Sequence, residues 1–155
     1  MIGNNFIDLV TDVKASLLPG EALGDIRLEG NRKYVRAKAT ATIAQYKNVK
    51  LDTSDTSGGS VTPVTAATDV PVGVHLASTS ATTSLPYFWL CVAGISVTVN
   101  VQGTVAAGDP LASSGTAGAL QTAPFTAATK QRVVAIALEA NASGNANKLV
   151  RLQAD

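Results

Sequence analysis

The segment Tyr87–Leu111, YFWLCVAGISVTVNVQGTVAAGDPL, constrains the fold more than any other part of the chain. From Ile95 to Gln102 the residues alternate strictly: Ile95, Val97, Val99 and Val101 on one side, Ser96, Thr98, Asn100 and Gln102 on the other. This is the period of a strand with one dry and one wet face, the pattern of antiparallel sheets. Gly108-Asp109-Pro110 supplies a turn and a stop to pairing, after which Leu111 returns to the core. The segment reads as one long strand or as a pair broken at Gly94.

The rest of the chain after Glu21 has the same character. Gly30-Asn31 separates two strand-like runs and predicts a hairpin, while KYVRAKATATIAQY alternates as far as Ile43. DTSDTSGGSVTPVT is a loop by composition, VPVGVHLAST a short strand, and RVVAIALEANASGNANKLVRLQAD two terminal strands joined at Ser143-Gly144-Asn145. Strands at such spacing predict an all-β fold, a small antiparallel β-barrel or sandwich. No repeat of 20–50 residues is evident. The first segment differs. Phe6, Leu9, Val10, Val13 and Leu17 fall at helical spacing, Asn4 or Asn5 can cap the start, and Pro19-Gly20 stops it. The expected organisation is an N-terminal arm, residues 1–20, with room for a short helix, and a β-barrel/sandwich domain, residues 21–155. The arm's apolar stripe must lie on something, either its own domain or a neighbour.

Charge is low over the 155 residues, with a net of +1, which argues against a nucleic-acid binder. Its distribution is uneven. Arg27, Arg32, Lys33, Arg36, Lys38, Lys47 and Lys50 face a single acid, Glu29, between Arg27 and Lys50, whereas Leu51–Thr129 holds no Lys or Arg. The basic section is either a solvated hairpin face or a surface complementary to an acidic partner. Met1–Asn5 lacks the basic start of a secretory leader. The longest apolar run, Leu85–Ile95, contains Pro86 and Gly94 and is shorter than the roughly 20 residues that span a bilayer. No membrane partner is expected.

Catalysis lacks a constellation of residues. The single cysteine, Cys91, lies in an apolar strand and reads as a buried, inert thiol. The single histidine, His75, reads as a structural residue, and no Gly-x-Ser-x-Gly elbow or phosphate loop is present. Asp52–Asp55 resembles half of a calcium loop, without the Glu that would close it. The expectation is a protein that is not an enzyme, with no cofactor, no metal and no catalytic residue. Tyr87 and Trp89 fall on one face of their strand and Phe88 on the other, and the triplet serves either the core or an oligomer interface.

In order along the chain, ALGDIRLEGNRKYVRAKATA, the strand with Tyr87, Trp89, Val92 and Gly94, the turn with Val105 and Gly108–Leu111, the hairpin Thr116–Leu120 and the strand Val133–Ala140 resemble the capsid decoration (cement) proteins of tailed bacteriophages. The resemblance spans Ala22–Leu152 and leaves out the first 20 residues. It implies a non-enzymatic protein on the outer surface of an assembled virion capsid, stabilising it. The implied partners are the major capsid protein and further copies of the chain, as a homotrimer. Phe6, Leu9, Val10, Val13 and Leu17 would then dock the arm, and Arg27, Arg32, Lys33, Arg36 and Lys38 would meet acidic capsid residues. Two other readings stay open: a carbohydrate- or host-surface-binding β-sandwich that stacks sugars on Tyr87 and Trp89, and a small carrier-like barrel.

Overall fold

The structure, a computed structural model, describes residues 21–124 and 131–154. It is all-β, with ten strands and no helix among the described residues: β1 (Ile26–Glu29), β2 (Arg32–Ala39), β3 (Asn48–Leu51), β4 (Ser60–Pro63), β5 (Gly73–His75), β6 (Tyr87–Gln102), β7 (Pro110–Ser113), β8 (Leu120–Thr122), β9 (Ala135–Ala137) and β10 (Asn145–Gln153). The β1–β2 hairpin turns at Gly30-Asn31 as predicted. The alternation through Ile43 yields a shorter strand, because β2 stops at Ala39 and Ile43 makes only an isolated bridge to Ala81. The stretch DTSDTSGGSVTPVT is not a loop throughout, because Ser60–Pro63 forms β4 and pairs with β2 and β3.

The pairing closes on itself twice. β2, β4, β3, β5 and β6 form one circuit, and β6, β8, β7, β9 and β10 form another, with β6 common to both. The two circuits are copies of one plan. The first and third strands of each pair in parallel (β2–β4, β6–β8), and every other pairing is antiparallel.

The backbone hydrogen bonds repeat as well. Ile43 and Ala81 exchange a pair, as do Val105 and Asn141. The Tyr46 N–H donates to the His75 carbonyl and the Gly108 N–H to the Ala137 carbonyl. The Val72 N–H donates to the Val49 carbonyl and the Val134 N–H to the Leu111 carbonyl. Val49 and Leu111, Val72 and Val134, and His75 and Ala137 are each 62 positions apart. The shared turn needs a left-handed residue. The second unit meets this with Gly108 at φ 92°, whereas the first places Tyr46 there at φ 65°, a conformation that disfavours a side chain.

Each unit has its own core. Ala37, Ile43, Val49, Val61, Phe88, Leu90 and Val92 fill the first. Val97, Val99, Val101, Leu111, Leu120, Val150 and Leu152 fill the second, in a cluster that also takes in Tyr34, Val74, Trp89 and Cys91 from the outer side of the first. β6 therefore buries both faces over Phe88–Val92, which accounts for its unbroken apolar run there.

Two expectations for this strand are corrected. Ile95 does not join Val97, Val99 and Val101 in the core but is 49% exposed. The pairing with β10 shifts register between Val150 and Leu152, and Ser96 takes a left-handed φ of 57°, so alternation restarts at Val97. The face carrying Asn100 is not wet there. Asn100 is buried, accepting from Lys47 Nζ at 3.0 Å and donating to Asn147 Oδ1 at 3.2 Å.

Candidate interaction surface

The basic section folds mainly onto β1 and β2, where alternation sets Arg27, Arg32, Arg36 and Lys38 on the same side as Trp89. The register pairs Arg36 with Trp89 and Lys38 with Tyr87. The Arg27 guanidinium carbon lies 4.6 Å from the centre of the Trp89 ring and that of Arg36 lies 5.6 Å from it, so two cations are within reach of one indole. Arg27 is also ion-paired with Glu21. Arg36 is only 4% exposed, and burial pulls its pKa below the ordinary arginine value. Trp89 is likewise 4% exposed and Phe88 fully buried, while Tyr87 is half-buried, so Phe88 and Trp89 are core residues.

The other cations are engaged too. Lys38 Nζ lies 2.9 Å from Asp55, and Lys50 Nζ lies 2.8 Å from Asp69. Arg32 Nη2 donates to the Ser96 carbonyl at 2.8 Å, bracing the kink in β6. A cleft of about 260 Å³ with a mixed lining opens beside it, between the β1–β2 turn and Ile95-Ser96. Lys33, on the opposite side of β2 from Arg32, is half-buried. Three cations of the basic section, Arg27, Lys38 and Lys50, are thus ion-paired within the chain. The five arm residues Phe6, Leu9, Val10, Val13 and Leu17 lie outside the described residues.

The acids of the lysine-free stretch hold turns. Asp69 accepts from the Thr65 and Ala66 N–H groups at 2.8 and 2.9 Å, and Asp109 accepts from the Ala106 N–H at 2.9 Å and the Thr122 hydroxyl at 3.0 Å. Asp25 accepts in the same way from the Ala22 N–H at 2.9 Å. This turn is legible as an Ala-x-x-Asp spacing used three times. Asp52 and Asp55 accept from Ser54, Thr40, Ser57, Ser60 and Lys38, which holds both carboxyls below the usual range, with the Ser54 hydroxyl foremost for Asp52 and Lys38 foremost for Asp55. Among the described residues, no group of three or more His, Cys, Asp or Glu is placed to hold a metal ion. The Cys91 thiol is buried and pushed up to about 12, so it stays protonated at neutral pH.

His75 is fully buried, with Nε2 2.9 Å from the Thr79 carbonyl oxygen and its ring edge-on to Phe88 at 4.8 Å. Its Nδ1 meets no hydrogen-bonding group among the described residues. Burial lowers its pKa below the ordinary 6.5, so the folded chain favours the neutral ring. That contribution is complete above pH 6.5 and drains away as pH falls through 6.5 towards the depressed folded value, at up to about 1.4 kcal/mol per pH unit. Urea midpoints at pH 7.5 and 5.5 should drop for the unsubstituted chain, and His75→Gln should flatten the difference. Equal slopes in the two proteins would assign the loss elsewhere. The Asp52, Asp55 and Asp69 carboxyls titrate in a lower window, below 3.8.

On the opposite face the first unit is open. Val35, Leu51, Val61, Val72, Leu90 and Val92 line an apolar cleft of about 110 Å³. Leu51 is 55% exposed, and Ile26 and Leu28 of β1 stand exposed on the same side of the sheet. Sequence patterning does not reach this feature, although an apolar Leu51 just before the polar loop at Asp52 is a faint signal of it.

No protein-family model matches the chain, and no curated protein sequence matches it. Among solved structures, the fold is similar to the N base of head fiber gp8.5 in bacteriophage phi29. The TM-score is 0.54 at 13% identity, covering 79% of this chain and 94% of that one.

Proposed function

We propose that the chain is a non-enzymatic structural protein of a bacteriophage virion that binds the outer surface of the assembled capsid as a homotrimer and stabilises it. The observation that carries this reading is the likeness of its described fold, over most of its length, to the base of a phage head fiber. The ordered motifs shared with decoration proteins, from Ala22 to Leu152, support the same conclusion from the sequence side. The physical rationale is linkage. A ligand with affinity for the assembled lattice alone stabilises that lattice, and several attachments per trimer raise the effective affinity without stronger single contacts. The sugar-stacking alternative loses support because Trp89 is 4% exposed, close to two guanidiniums and inside a core cluster.

The test is to mix the purified protein with expanded, undecorated capsids. Saturable binding at a fixed ratio to capsid protein is expected, with a rise in capsid melting temperature. Sedimentation of the free protein should give three chains per particle. Absence of binding across buffers and salt concentrations would overturn the reading.

A further inference from the structure

We infer that the outer edge of β1 pairs antiparallel with β1 of a second copy of the chain, about a two-fold axis at Leu28. Among the ten described strands, all but β1 pair with at least two others, because the two circuits close on themselves. Among the described residues, β1 pairs with β2 alone. Closed circuits offer no backbone edge, so β1 is where an outside strand can be added. The edge carries the groups to receive one. The Arg36 N–H donates to the Asp25 carbonyl at 2.8 Å. Counting on from Asp25 in the β1–β2 register, Arg27 and Glu29 turn their N–H and C=O groups towards β2, and those of Ile26 and Leu28 point outward. The side chains at these two positions are apolar and 60% and 78% exposed. β1 itself, Ile-Arg-Leu-Glu, has neither the proline nor the lysine that commonly guards an edge.

Charge selects a second copy as the partner and fixes the register. With Leu28 on the axis, Leu28 faces Leu28 of the second copy and each Arg27 faces the other copy's Glu29, so both charged pairs are of opposite sign. Leu28 then occupies a hydrogen-bonded site, which its outward N–H and C=O require. An axis at Arg27 instead sets Arg27 against Arg27 and Asp25 against Glu29, two like-charge contacts. An axis at Ile26 calls on Asp25, whose carboxylate already accepts from the Ala22 N–H at 2.9 Å, and on Gly24, whose N–H is taken by the Arg36 carbonyl. The favoured pairing also brings the exposed Ile26 and Leu28 of both copies onto one side of the joined sheet. A strand of four residues buries less than the roughly 1,000 Å² of a lasting complex. The contact is therefore weak in dilute solution and gains strength where copies are held side by side. Being two-fold, it differs from the three-fold contact of the proposed trimer and would join one trimer to the next.

This inference is independent of capsid binding, and its test uses no capsid. In the full chain, Leu28→Cys and Ile26→Cys are oxidised mildly at high protein concentration and read on a non-reducing gel. Residues facing each other at a hydrogen-bonded site stand about 5.5 Å apart between Cα atoms, within reach of a disulfide. Ile26 faces Gly30 of the other copy, so the two Ile26 positions lie roughly 13 Å apart along the strand. Leu28→Cys should therefore form covalent dimers about tenfold faster than Ile26→Cys, and nearly all chains should pair. In the absence of any cysteine substitution, sedimentation should show pairwise association that grows with concentration. Leu28→Lys, which sets two cations face to face at an exposed position, should abolish it without lowering the melting temperature. Equal rates for the two cysteine variants, or a faster Ile26→Cys, would overturn the inference. So would pairing that stops at about two thirds of the chains, the limit for three thiols around a three-fold axis. Association undiminished by Leu28→Lys, or no association and no cross-link at any concentration, would overturn it as well, whether or not capsids bind the protein.

Discussion

Phe88→Ala should lower the free energy of unfolding by about 3–5 kcal/mol. Phe88 is fully buried at the centre of the smaller of the two cores, among Ile43, Val49, Leu90 and small alanines that cannot swing in to fill its space. The residues around it are also anchored. Ile43 is fixed by its reciprocal bridge to Ala81, and Val49 by pairing to β4 on one side and β5 on the other. Collapse into the cavity is therefore limited, which puts the cost in the upper part of the range for large-to-small changes. The edge of the His75 ring loses its aromatic partner at the same time. Against a total stability of roughly 5–15 kcal/mol for a domain, the loss is large enough to lower the melting temperature by about 10 °C. Leu85→Ala, three residues away at a 39% exposed position, is the control and should cost little. Equal effects of the two substitutions would mean that the first core is not a principal source of stability.

The second large effect is expected at Gly73, and the duplication supplies its control. A Cβ at Gly73 would stand 2.6 Å from the Cys91 carbonyl oxygen and 2.6 Å from Leu90 Cγ. Gly73→Ala should cost about 2–3 kcal/mol, because the backbone on one side cannot yield. Yet the equivalent position in the second unit is Ala135, tolerated there across from Leu152 and diagonal to Val150, the counterpart of Leu90. Glycine with leucine in one unit is thus exchanged for alanine with valine in the other. Leu90→Val alone should cost about 1 kcal/mol. The double substitution should be less destabilised than the sum of the two by at least about 1 kcal/mol, a direct measure of their coupling by chemical denaturation. Strict additivity would sink the proposed exchange.

The all-β class, the Gly30-Asn31 hairpin, the Asp109 turn and the long sixth strand are legible in the sequence, because each rests on local rules of alternation or turn chemistry. What escaped local reading is non-local. The duplication is hidden because equivalent positions keep only their character. Ile43 answers to Val105, Val49 to Leu111 and Tyr46 to Gly108, at a spacing beyond the 20–50 residues of familiar repeats. The exposure of Ile95 depends on a left-handed Ser96 that no composition rule demands. The basic section is visible as a cluster of residues. The pairing of Lys38 and Lys50 is not, since their partners Asp55 and Asp69 come from the stretch that holds no lysine or arginine. The pattern of the aromatic triplet suits core and interface alike, and only the packing of both faces of β6 places Phe88 and Trp89 inside.

β6 gives the molecule a party wall. Its sixteen residues close one chamber with their first half and another with their second, so no surface exists along which the halves can part while each stays intact. Two hydrophobic cores would ordinarily permit two meltings. Here the removal of one segment opens both at once, and heat or denaturant meets a single cooperative transition.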